Sequence, residues 1–309
     1  MGMMILAGLK TVTTLNVVAN ILHKLNPQFA YSQSPNFTRT FTSQKPFGIY
    51  YISFCEVIII KGLYKDEVIL REQLAPWERI ALEKFEAKMT DKERPFPCIP
   101  ATIGFSTNQL RYGFVGDPRD TSSIHELAQL LKIFTDESTG FGNYTSLIVF
   151  YNIPKEVEKT YTVEQFEQLF WKQLGGLSAI DGVQWPEDIP TDPHDPVWEF
   201  CFHGEKYFMY CATPSHQNRQ SRHFDTMMLA ITPRWVLQEF GKNESYAKNI
   251  KKQVRKRLAN YDSISIHPDL NSYGSEDNFE WRQYFLRDDD TSLSKCPYHR
   301  FLNLFKLDK

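Results

Sequence analysis

From residue 75 onward, hydrophobic and polar positions fall into a succession of helix-like and strand-like periods. Trp77, Ile80, Ala81, Lys84 and Phe85 recur at the spacing of one helix face, which ends before Pro95. The turn Pro95-Phe96-Pro97-Cys98-Ile99-Pro100 follows. Leu110 to Val115 reads as a strand. Thr121 or Ser122 caps a helix running to about Phe134, with Glu126 near its start to suit the helix dipole. Thr145 to Tyr151 is rich in β-branched and aromatic residues and reads as a strand. A helix starts at Thr162 or Val163, carries Phe166, Leu169, Phe170 and Leu174, and ends near Gly175-Gly176. Trp198 to Phe202 and Tyr207 to Ala212 form a hairpin across His203-Gly204-Glu205-Lys206. Met227 to Thr232 is another apolar strand. Pro233-Arg234-Trp235 begins a short helix, and Tyr246 to Asn260 is a longer one.

Adjacent strands late in the chain predict a mixed or antiparallel sheet with packed helices, an α+β class. No repeat and no Pro/Gly/Ser linker divides residues 73–309, so a single domain is expected there. Residues 1–72 read differently. Lys10 and several Thr and Asn residues interrupt the apolar patches, no positive region precedes them, and Ala30 to Phe47 lacks clear periodicity. This stretch is expected to be an N-terminal extension, neither a signal peptide nor a bilayer span.

Composition narrows the function classes. The chain has 309 residues, 42% hydrophobic, with a net charge of −2, so bulk charge gives no reason to expect a nucleic-acid partner. The basic run Lys248 to Arg257 carries Ile250, Val254 and Leu258 at four-residue spacing, the mark of an amphipathic helix with a solvated basic face. Cys55, Cys98, Cys201, Cys211 and Cys296 are odd in number and widely spaced, without a C-x-x-C pair. A reducing cytoplasm suits them better than a disulfide framework.

Phosphate-binding, hydrolase and zinc-protease motifs are missing. His125-Glu126 lacks the second histidine of a metal pair. Cys98 shows no positive neighbours in sequence, so a Cys98-dependent hydrolase ranks last. The densest chemistry lies between Trp185 and Arg222, an acid- and proline-rich loop and two aromatic strands followed by His216, Arg219 and Arg222. His267 and His299 sit in similarly dense surroundings, His267-Pro-Asp-Leu and Cys296-Pro-Tyr-His.

Several stretches, in order, resemble the YqcI/YcgG family: RPFPCIPA at 94–101, LRYGFVGDPRD at 110–120, WPEDIPTDP at 185–193 and WEFCFHGEKYFMYCATPSHQNRQSR at 198–222. PRWVL at 233–237, YDSISIHPDLNSYG at 261–274, EWRQYFLRDD at 280–289 and CPYH at 296–299 continue the match. Asn271 stands where the family commonly has glycine. The resemblance implies a haem-dependent N-oxygenase that hydroxylates a nitrogen of arginine or an arginine-like small molecule. It implies haem b as cofactor, dioxygen as co-substrate and an external electron donor. A non-catalytic haem-binding sensor or carrier is the alternative.

Haem needs an axial ligand, an apolar slot and cations for its propionates. If residues 216–222 are helical, His216, Arg219 and Arg222 share one face, as iron ligand and propionate clamps. Arg111 is a further cation candidate. Equally, the arginines could pair with Asp188, Asp192 or Asp195. His267 is the alternative ligand and His299 the third. An arginine-like substrate needs carboxylates, for which Asp192, Asp195 and Glu199 are the candidates.

Overall fold

The computed structural model describes residues 73–271 and 278–306. The expected extension over residues 1–72 lies outside them. The described residues all fall in one compact unit. They begin with α1 (Pro76–Thr90), α2 (Ile99–Ser106), β1 (Arg111–Val115), α3 (Ser122–Glu137), β2 (Leu147–Tyr151), α4 (Lys155–Thr160) and α5 (Val163–Ile180). After a long loop come β3 (Phe200–Phe202), β4 (Glu205–Ala212), β5 (Met228–Pro233), α6 (Arg234–Gly241), α7 (Glu244–Tyr261), α8 (Trp281–Tyr284) and α9 (Tyr298–Lys306).

The strands form one sheet in the order β1-β2-β5-β4-β3. β1 and β2 are parallel, with α3 in the connection between them, and every other neighbouring pair is antiparallel. The sheet is therefore mixed and the class is α+β, as expected.

β2 reads Leu-Ile-Val-Phe-Tyr without a polar break because both of its faces are covered. Leu147, Val149 and Tyr151 join the larger core, with Leu127 of α3, Phe170 of α5, Trp281 of α8 and Tyr298 of α9. Ile148 and Phe150 face the smaller core, with Leu82 and Phe85 of α1. β5 divides the same way, Leu229 and Ile231 to one side and Met228 to the other.

Four local readings are corrected. Gly175 and Gly176 do not end a helix; they lie inside α5. A Cβ on Gly175 would stand 2.8 Å from the Leu302 backbone nitrogen, so the bare backbone is what lets α9 approach. The hairpin turn is shorter than expected, with His203 and Gly204 alone at its tip, both at positive φ (51° and 77°). That is the two-residue turn whose twist matches its strands. The proline-rich stretch runs into α2, with Pro100 in the first turn, where its missing N–H costs nothing. The buried face of α1 is rotated from the expected one: Ile80 is 51% exposed, while Leu82 and Met89 are buried.

α7 matches its reading. Ile250 is buried, and Lys248, Lys251, Lys252 and Lys256 face solvent. The four described cysteines are free thiols. Among the described residues no helix is long and apolar enough to cross a membrane.

Candidate functional site

The segment carrying His216, Arg219 and Arg222 is not an α-helix; only Gln220–Arg222 closes a short 3-10 turn. The shared helix face is therefore corrected. Its backbone donors are engaged elsewhere. The Asp288 carboxylate accepts N–H bonds from Gln217, Asn218 and Arg219 at 3.0, 2.9 and 2.8 Å. Asp262 accepts from the Ser221 N–H and hydroxyl at 2.7 and 2.8 Å. Donors held by carboxylates cannot feed a helical ladder.

His216 is fully buried. Its Nε2 lies 2.8 Å from the Leu286 carbonyl and its Nδ1 2.8 Å from the Thr213 hydroxyl. A carbonyl only accepts, so this network assigns the proton to Nε2, with Nδ1 accepting from Thr213. Both ring nitrogens are thus occupied. Arg219 donates to the carbonyls of Arg287, Ser265 and Asp289 and to the Asp290 carboxylate. Arg222 donates to the Tyr284 and Gln283 carbonyls at 2.9 and 2.8 Å and lies over the Tyr210 ring. Arg111 donates to the Asn108 and Leu110 carbonyls and stacks on Phe141. These three arginines tie backbone segments together; the pairing with Asp188, Asp192 or Asp195 is not what holds them. His267 is buried too, its Nδ1 accepting from the Asp269 N–H at 3.1 Å.

The candidate acids separate. Asp192 is exposed and bonds His194. Asp195 caps a turn through the Val197 N–H at 3.0 Å. Glu199 is 1% exposed and pairs with Arg234, which also binds Glu280. Sequence reasoning gave no role to Arg234 or Glu280, because residues 35 and 46 positions apart leave no local pattern.

Two buried groups here titrate with opposite consequences. Burial lowers the His216 pKa to about 4. The unfolded chain binds that proton below about 6.5, the folded one only near 4, so His216 costs stability as pH falls through this window. Burial raises Glu280 to about 7, with Arg234 opposing. The folded state keeps this proton longer, so Glu280 costs stability as pH rises from about 4.5 to 7. The two slopes offset each other. In urea unfolding across pH 4–7, His216→Gln is expected to remove the first slope and Glu280→Gln the second. Unchanged pH profiles in both variants would contradict the assignment.

What the fold does bring together lies under the acidic loop. A cavity of about 470 Å³ is lined by Asp181, Trp185, Thr191, Tyr298, His299 and Leu302. Asp181 ends α5, where the helix dipole favours a cation. Its oxygens are fixed by the N–H groups of Val183 and His203 at 3.0 and 2.8 Å. Trp185 stacks on Trp198 at 6.3 Å, and Tyr298 packs 5.2 Å from Trp198. His299 is exposed, with its ring 5.5 Å from Tyr298. Asp181 was missed in sequence because the helix was expected to end near Gly175-Gly176, which left Asp181 as an ordinary loop acid.

A second, more apolar cavity of about 190 Å³ is lined by Met89, Phe96, Cys98, Tyr210 and Met228. Cys98 precedes α2, yet its apolar surroundings push the thiol pKa up against the Ala101 N–H and the Arg222 charge. Among the described residues no three His, Cys, Asp or Glu side chains converge on a bare metal ion.

Comparison with known proteins gives a consistent picture. The model of the YqcI/YcgG family matches residues 85–299. The uncharacterized protein YqcI of Bacillus subtilis is 45% identical over 77% of this chain and 93% of its own length. The uncharacterized protein YcgG of the same organism is 43% identical over 80% of this chain and 98% of its own. A Streptomyces lavendulae protein named "Putative N(omega)-hydroxy-L-arginine synthase DcsA" is 29% identical over 75% of this chain and 89% of its own. No solved structure matches.

Proposed function

The chain belongs to the YqcI/YcgG family, and from that membership we propose that it is an N-hydroxylating oxidoreductase. Its substrate is a guanidino or amino nitrogen of arginine or an arginine-like small molecule. The observation that carries this reading is the likeness to the Streptomyces protein named for N(omega)-hydroxy-L-arginine synthesis. The reaction inserts one oxygen atom of dioxygen into an N–H bond. The other oxygen leaves as water, using two protons and two electrons from an external donor.

Haem b is the proposed cofactor, and the residues present offer it three kinds of donor. His216 and His267 fit poorly, since both are buried and already hydrogen-bonded. Cys98 borders a cavity of only about 190 Å³, and its apolar surroundings raise its thiol pKa. His299 fits: it is exposed and lines a cavity of about 470 Å³, within the range of small-molecule sites. His299 would hold the iron, and Trp185 and Tyr298 would supply flat apolar walls. When bound, haem would supply the activation of dioxygen.

The remaining work belongs to the chain. Asp181, fixed by two backbone N–H groups, offers a carboxylate to a planar cation. The aromatic faces favour the same charge and exclude water. Asp192, exposed and next to the lining residue Thr191, would attract a cation. Hemin titration of the full chain tests this reading. A saturable Soret band that shifts on adding L-arginine, and not on adding its neutral isostere citrulline, is expected. No band would remove the haem proposal, and a band indifferent to arginine would favour the sensor or carrier.

A further inference from the structure

Away from that site, three of the buried donors that lack a hydrogen-bond partner among the described residues fall together. Trp171 of α5 and Trp281 of α8 are 1% and 4% exposed, and neither indole N–H has a hydrogen-bond partner. The Arg282 Nε–H, also buried, has none. All three residues line one small cavity. Buried donors are nearly always satisfied, and a group of them left open in one place points to a bound species.

The other walls narrow what that species is. The cavity has room for a single small centre, about 10 Å³. A sulfate, phosphate or carboxylate is too large. Arg287 also lines it and is held by Glu167 at 2.8 Å, and the Arg282 guanidinium lies 4.0 Å from Asp269, so each guanidinium group has its own carboxylate. The nearby Thr291 and Ser292 hydroxyls already donate, to Asp289 and Asp269. A water accepts about two hydrogen bonds and must place its own hydrogens on acceptors. A monatomic anion accepts from every direction, so it can satisfy all three open donors at once.

We propose that this cavity, between α5, α8 and the segment around Thr291, binds a monovalent halide-sized anion through the Trp171 and Trp281 indoles and the Arg282 guanidinium. The observation is independent of the oxidoreductase reading. It depends on neither haem nor substrate.

The test uses the full chain in chloride and in gluconate at equal ionic strength, with bromide as the crystallographic probe. A melting temperature that rises saturably with chloride and not with gluconate is expected. So is an anomalous bromide peak within hydrogen-bond reach of both indole nitrogens. Trp281→Phe keeps the ring and removes the donor, and it should weaken the chloride response roughly ten-fold. Should that variant fail to fold, Arg282→Gln at the cavity edge should weaken it in the same way. Equal melting in both salts, or an ordered water where bromide was expected, would overturn the proposal. A halide response that survives both substitutions would overturn it as well.

Discussion

Replacing Arg234 with methionine is expected to destabilise the fold by about 3–5 kcal/mol, because it removes the cation between two buried carboxylates. Arg234 is 4% exposed and lies between Glu199 at 1% and Glu280 at 3%. The guanidinium bridges β3's entry strand residue to α8's cap, so the charge it supplies joins the far edge of the sheet to the C-terminal helices. Without it, one carboxylate must take up a proton or the region must open to water. A shift of this size lowers the melting temperature of a domain of this length by roughly 10 °C. Adding Glu280→Gln should recover part of the loss by removing one negative charge. A methionine variant as stable as the parent would show that the three groups are not energetically coupled.

His299→Ala is expected to remove the native Soret spectrum of the hemin-loaded protein while leaving the melting temperature within about a degree. The side chain is exposed, and surface changes away from special contacts cost little. His216→Ala should do the reverse. It leaves the Leu286 carbonyl and Thr213 hydroxyl unmatched in the core, at about 1–3 kcal/mol for each buried group left without a partner, while ligation persists. Cys98→Ser should change neither. A reduced carbon-monoxide spectrum of the thiolate type that Cys98→Ser abolishes would transfer the ligand to Cys98. Loss of ligation in His216→Ala with a normal melting temperature would restore His216.

The sheet was readable in the sequence because its strands are short, apolar and separated by clear breaks. β1, β2 and β3 lie within their expected ranges, while β4 begins two residues early and β5 ends one residue late. α5 announced its start through Thr162 and Gln165, which cap each other's backbone at the helix entry. α4 gave no such signal, since Val157 is its single buried residue and no periodicity can form. The density of unusual residues around His216 was real, but its cause lay elsewhere. Asp262, Leu286 and Asp288, some 40 to 70 positions later, hold that loop in place. Local spacing cannot register such partners. His216 ranked ahead of His267 and His299 because Arg219 and Arg222 follow it at helical spacing, yet no α-helix forms there. His216 and His267 are core residues, whereas His299 is exposed and lines the cavity.

The central claim is tested most directly by turnover. The hemin-loaded full chain is supplied with a chemical reductant, isotopically labelled dioxygen and L-arginine, and the products are read by mass spectrometry. The account predicts an arginine product heavier by one labelled oxygen on a side-chain nitrogen, formed much more slowly by Asp181→Asn. Reductant consumed without any labelled product from arginine or related guanidines and amines would contradict it.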